Sequence, residues 1–95
     1  MAKAKPIKNY RLTEHAKEEM ARRQISQGDV AKVLTTPKQV EAVRKGRSVY
    51  QSCIESGKPP KRYLVRVFVD IDREPMEVVT VYRTSKITKY WRADK

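Results

Sequence analysis

The chain has 95 residues, with 22 Lys and Arg against 11 Asp and Glu, giving a formal net charge of +11. That length makes one domain, and the single cysteine, Cys53, excludes an internal disulfide framework. No apolar run approaches the ~20 residues of a membrane-spanning helix, and no apolar segment follows the basic N-terminus as it would in a signal peptide, so the expected location is cytoplasmic.

Residues 1–9 read as a flexible basic arm, with Lys3, Lys5, Lys8 and Pro6, and with Ile7 as the sole large aliphatic. Residues 10–95 read as a single α+β domain. Thr13 is a good N-cap for a first helix, and Glu14 is favourably placed against its dipole. Leu12, Ala16 and Met20 recur at four-residue spacing as a narrow apolar stripe. The helix is expected to end near Arg23, since Arg22 and Arg23 suit a last turn. Ser26 and Asp29 then form a capping-box pattern, with Ile25 and Val30 at the positions of a hydrophobic staple. A second helix follows from Gln27 to Leu34, and Thr36-Pro37 stops it.

The remainder reads as sheet. Gln39 to Arg44 is a strand, Lys45-Gly46 a tight turn, and Ser48 to Ile54 the returning strand. Gly57, Pro59 and Pro60 mark a loop. Lys61 to Ile71 is the clearest strand, with Tyr63, Val65, Val67, Val69 and Ile71 alternating on one face. Asp72 to Pro75 turns the chain into Met76 to Arg83. Ile87 to Trp91 is a short last strand or a docked tail. The expected architecture is two N-terminal helices packed on a twisted antiparallel sheet of about four strands.

The charge excess favours a polyanion, because each phosphate that meets Lys or Arg releases condensed counterions. A membrane surface or an acidic protein is the alternative for charge alone. One His and one Cys cannot build a tetrahedral metal site in a single chain. The three glycines form no phosphate loop, and no cofactor is expected. Glu18 and Glu19 diverge by about 100° on a helix, which disfavours a paired-carboxylate mechanism.

Cations, hydroxyls and one imidazole remain. That inventory can cut RNA without metal: the 2′-hydroxyl attacks phosphorus, a base takes its proton, an acid protonates the leaving oxygen, and cations hold the phosphate charge. His15 is the candidate for proton transfer, and its plain alternative is a helical residue packed on the sheet. Arg47, Arg66, Arg83 and Lys86 are candidate phosphate clamps. Tyr50, Tyr82 and Tyr90 can stack on bases or, more plainly, pack across strands. Lys89 and Arg92 extend the basic C-terminal region.

Three runs carry a resemblance. Thr13-Glu14-His15-Ala16 with Met20, Arg23, Ile25-Ser26 and Asp29-Val30 matches a T-x-H-A-x-x-x-M-x-x-R-x-I-S-x-x-D-V signature. Gly46-Arg47-Ser48-Val49-Tyr50 matches G-R-x-x-Y, and Val78 to Thr84 matches V-V-T-V-Y-R-T. The pattern resembles a small bacterial domain family of unknown function, itself similar to the BrnT and RelE toxins of toxin–antitoxin pairs. The resemblance implies a basic α+β domain that cleaves RNA and is silenced by an antitoxin protein. It singles out His15, Arg23, Arg47, Tyr50, Arg83, Thr84 and Lys86, and of these His15, Arg47, Arg83, Lys86 and Tyr50 are the expected catalytic residues. Arg23 joins Arg66, Lys89, Arg92 and Tyr90 as nucleic-acid-binding. Two positions depart from the pattern: Glu19 stands where a basic residue is expected, and Gln24 where glycine is common. The leading reading is a metal-independent, toxin-like ribonuclease. The alternatives are a non-catalytic nucleic-acid-binding module and a basic domain that binds an acidic partner.

Overall fold

In a computed structural model, the structure describes residues 7, 9–57 and 59–87. The elements run β1 (Tyr10–Leu12), α1 (Glu14–Arg23), α2 (Gln27–Thr35), β2 (Gln39–Arg44), β3 (Arg47–Ser56), β4 (Lys61–Asp70) and β5 (Met76–Thr84). They build an α+β fold with two helices and one five-stranded sheet of order β1-β5-β4-β3-β2. Strands β2 to β5 form an antiparallel meander, and β1 pairs parallel to β5.

Two expectations are corrected here. The sheet has five strands and is mixed, and a strand precedes the helices. The cause is the shortness of β1, because three residues carry no readable alternation. Leu12, read as part of the helical stripe, pairs with Val78 instead. Ile7, read within the basic arm, is 6% exposed in the core, and its N–H donates to Leu34 O at 2.7 Å.

The helix termini follow their cap chemistry. Thr13 Oγ1 accepts from Ala16 N–H at 3.1 Å. Its own hydroxyl and N–H both donate to Val78 O, at 3.0 and 3.1 Å. Thr13 therefore starts α1 and fastens it to β5. Gln24 closes α1 in the left-handed region, at φ 57° and ψ 46°, and Ile25 N–H reaches back to Met20 O at 2.8 Å. Ser26 Oγ accepts from Asp29 N–H at 3.0 Å to start α2, and Ile25 and Val30 are both buried beside that cap.

One sheet face meets the helices. Ala16, Met20, Ile25, Val30, Val33 and Leu34 pack there on Tyr50, Ile54, Val65, Val67, Val69, Val78 and Val81. The alternation expected along β4 holds for Val65, Val67 and Val69, whereas Ile71 lies past the strand end and is 38% exposed. A bulge shifts the β4–β5 register: Val69 faces Val78 but Phe68 faces Thr80, so Val79 is the extra residue. This is why Val78 and Val81, three apart, share the core face.

The sheet has two unlike ends. The β2–β3 and β4–β5 turns lie at one, here the turn end. The β3–β4 loop, the start of β2 and the end of β5 lie at the other, the loop end. At the turn end, Gly46 takes φ +83° beneath the Asp72 carboxylate, and Ile71 N–H donates to Gly46 O at 2.9 Å.

Candidate nucleic-acid interface

On the sheet face away from the helices, the register sets Gln39, Gln51, Arg66 and Tyr82 abreast on four successive strands. Hydrogen bonds join them across the sheet. Gln51 Nε2 donates to Gln39 Oε1 at 2.7 Å, Arg66 Nε to Gln51 Oε1 at 2.9 Å, and Arg66 Nη1 to Tyr82 Oη at 2.6 Å. The Arg66 guanidinium also lies over two rings, 5.4 Å from the Phe68 centroid and 5.6 Å from that of Tyr82. Those rings stack, with centroids 6.1 Å apart and planes 18° apart.

Helix α1 continues the row past the edge of β5. The Arg23 guanidinium lies 5.9 Å from the Tyr82 centroid. Arg23 Nε donates to Glu19 Oε1 at 2.7 Å, and Arg22 pairs with Glu19 Oε2. His15 Nε2 stands 3.7 Å from the same oxygen, with 62% of its side chain exposed. Glu19 is 7% exposed, and the hydrogen bond from Arg23 leads the causes that hold its carboxyl below the ordinary range. The i, i+4 and i+3 spacings set the three cationic or imidazole side chains around one carboxylate. Glu19, read as a loss of phosphate-binding charge, is the residue that gathers the others.

His15, Arg23 and Arg66 therefore belong to one connected cluster with Tyr82. The remaining candidates stand elsewhere. Arg47 forms a two-pronged pair with Asp70 at the turn end, Nε to Oδ1 at 2.6 Å and Nη2 to Oδ2 at 3.2 Å. Its bond to Asp70 holds Arg47 above its ordinary pKa and Asp70 below. Tyr50 is 8% exposed in the core under the helices, where burial raises its phenol pKa. Arg83 lies on the helix-side face, its guanidinium 4.6 Å over the Tyr63 ring. Lys86 is exposed just beyond β5, where its N–H donates to Thr84 Oγ1 at 3.0 Å. Lys89, Tyr90 and Arg92 lie outside the described residues.

The two ends of the sheet differ in charge. At the turn end, Arg11 pairs with Glu77 and Arg47 with Asp70. Arg44 and Arg73 also act on Asp70, and Asp72 acts on Arg47. At the loop end stand Lys38, Lys61, Arg62, Arg83 and Lys86, with Glu55 opposite Arg62 as the acid among the described residues there. Among the described residues the basic excess is thus concentrated at one end of the sheet and beside the C-terminus of α1. Among the described residues no three His, Cys, Asp or Glu converge to hold a metal ion, and no helix is long and apolar enough to cross a membrane.

A basic α+β domain with a cationic, aromatic-bearing edge is what the fold and this cluster define. Residues 12–83 match the model of a domain of unknown function, DUF4258, and the chain belongs to that family. No curated protein and no solved structure matches it.

Proposed function

We propose that this domain binds RNA along the loop end of its sheet and the His15–Arg23 face of α1, and cuts it as a toxin-like, metal-independent ribonuclease. The carrying observation is the cluster that joins His15 through Glu19 and Arg23 to Tyr82 and Arg66. Single-stranded RNA is held by cations that follow its backbone and by aromatic faces that take its bases. Arg23 and Arg66 supply the cations, with Tyr82 between them. His15 is exposed, with its Nε2 3.7 Å from the Glu19 carboxylate, which suits it to take the 2′-hydroxyl proton or return one to the 5′-oxygen. Arg22 and Arg23 then stabilise the charge that gathers on the phosphate. The Thr13–Val30 and Val78–Thr84 runs carry the likeness to the domain family of unknown function; that family's similarity to the BrnT and RelE toxins in fold and basic charge supports the same reading, with an antitoxin protein as the partner it would imply.

The test is end-labelled RNA incubated with the purified chain in EDTA, with and without ribosomes. Wild type is expected to produce discrete fragments, and His15→Ala to lose about 10²-fold or more in rate, the usual range for a proton-transfer group. RNA left intact in both settings defeats the catalytic part. A binding module without catalysis is the second reading. It is favoured by the distance of Arg47 and Tyr50 from His15: one is spent on Asp70, the other is inside the core. Strongly salt-dependent RNA binding with no cleavage selects it.

A further inference from the structure

At the loop end a cavity of about 320 Å³ is lined by Lys38, Cys53, Arg62 and Ile87. It is separate from the His15–Arg66 cluster, and no residue singled out for catalysis lines it. We propose that this cavity is a binding site for the phosphate group of a nucleotide, either free or within an RNA chain. The proposal rests on the RNA reading above for its biological ligand.

Four observations carry it. The Lys38 N–H donates to Gln51 O at 3.1 Å and to Ser52 Oγ at 3.0 Å, which fixes the backbone of this cationic residue where it lines the cavity. Arg62 makes no ion pair with Glu55 across the ladder, although the register sets them opposite, so its planar fork is available for a bidentate anion contact. Cys53 and Ile87 give the other walls an apolar character, which suits the carbon face of a sugar more than a second anion. The volume falls within the range of small-molecule sites and exceeds what a bare phosphate fills. A cation pair beside a soft apolar wall therefore selects a phosphate ester over inorganic phosphate.

Cys53 is the chain's one cysteine, and it is partly exposed. Its alkylation by iodoacetamide, followed by intact mass, reports directly on occupancy of the cavity in the full chain. Adenosine 5′-monophosphate is expected to slow the alkylation, and adenosine at the same concentration to leave it unchanged. Arg62→Ala or Lys38→Ala is expected to raise the concentration needed for protection about tenfold, the loss of one charge-assisted contact. Arg62→Lys keeps the charge and is expected to fall between. Both side chains are exposed, and the wild-type comparison of the two adenosine ligands does not depend on the variants folding. Equal protection by adenosine, no protection by the monophosphate, or protection unaltered in both alanine variants overturns the proposal. RNA that binds equally well to wild type and both alanine variants overturns the RNA-chain form of this site and leaves the RNA reading standing. Monophosphate protection in a chain that does not bind RNA does the reverse.

Discussion

Gln24 shows how a single residue departs from local preference. It is exposed and holds φ 57°, a region that costs a side-chain-bearing residue on the order of 1 kcal/mol. Gln24→Gly is expected to stabilise the fold by about that amount in urea unfolding, with an unchanged slope against denaturant. Destabilisation would mean that the glutamine side chain contributes more than its backbone costs. The Arg47–Asp70 pair carries a pH prediction. Asp70 binds its proton more weakly folded than unfolded, so its contribution is present above the unfolded pKa and is lost as pH falls through the folded one. Glu19 has the same sign. Unfolding free energy is expected to fall as pH drops below the ordinary carboxylate range, and to fall less steeply in Asp70→Asn. Parallel pH profiles for the two chains would remove Asp70 from that account.

At the scale of elements, Thr13 joins α1 to β5 through three contacts: its Oγ1 with Ala16 N–H, and its hydroxyl and N–H with Val78 O. Thr13→Ala removes the two that need the hydroxyl and is expected to cost about 1–2 kcal/mol, while Thr13→Ser keeps most of the stability. Equal losses in both variants would place the effect in the methyl group instead. Leu34, fully buried on α2, is expected to cost about 2–5 kcal/mol as alanine, checked by the same unfolding measurement. These caps and helices were legible in the sequence because their signals are local: Thr13, the Ser26–Asp29 pair and the Ile25–Val30 staple act within one turn. The alternation of Val65, Val67 and Val69 was legible for the same reason. Strand β1 was not, because its partner lies more than sixty residues away and its three residues show no pattern. The bulge at Val79 was hidden as well, since Val78, Val79 and Val81 read alike as apolar strand residues. Which of them face the core depends on the β4 register.

At the scale of the molecule, the cluster was only partly readable. His15, Arg23 and Arg66 were singled out as residue types, but their association runs through Glu19 and Tyr82, and that follows from the register and from where α1 lies. Arg47 and Tyr50 sit three apart on β3, hence on opposite faces, and alternation alone places one with Asp70 and the other under the helices. The uneven charge along the chain was visible in the sequence. The meeting of Lys38, Arg62 and Lys86 at one end of the sheet was not, since they come from three separate segments that the meander brings together. The central claim is that the loop end, and not net charge in general, meets RNA. The direct test is fluorescence anisotropy with a labelled single-stranded RNA across a salt series, comparing wild type with two double variants of equal charge. Lys61→Ala/Arg83→Ala at the loop end is expected to weaken binding about tenfold or more and to lower the salt slope by about one to two. Arg44→Ala/Arg73→Ala at the turn end is expected to change both far less. Equal losses in the two double variants, or wild-type binding that ignores salt, would contradict the account.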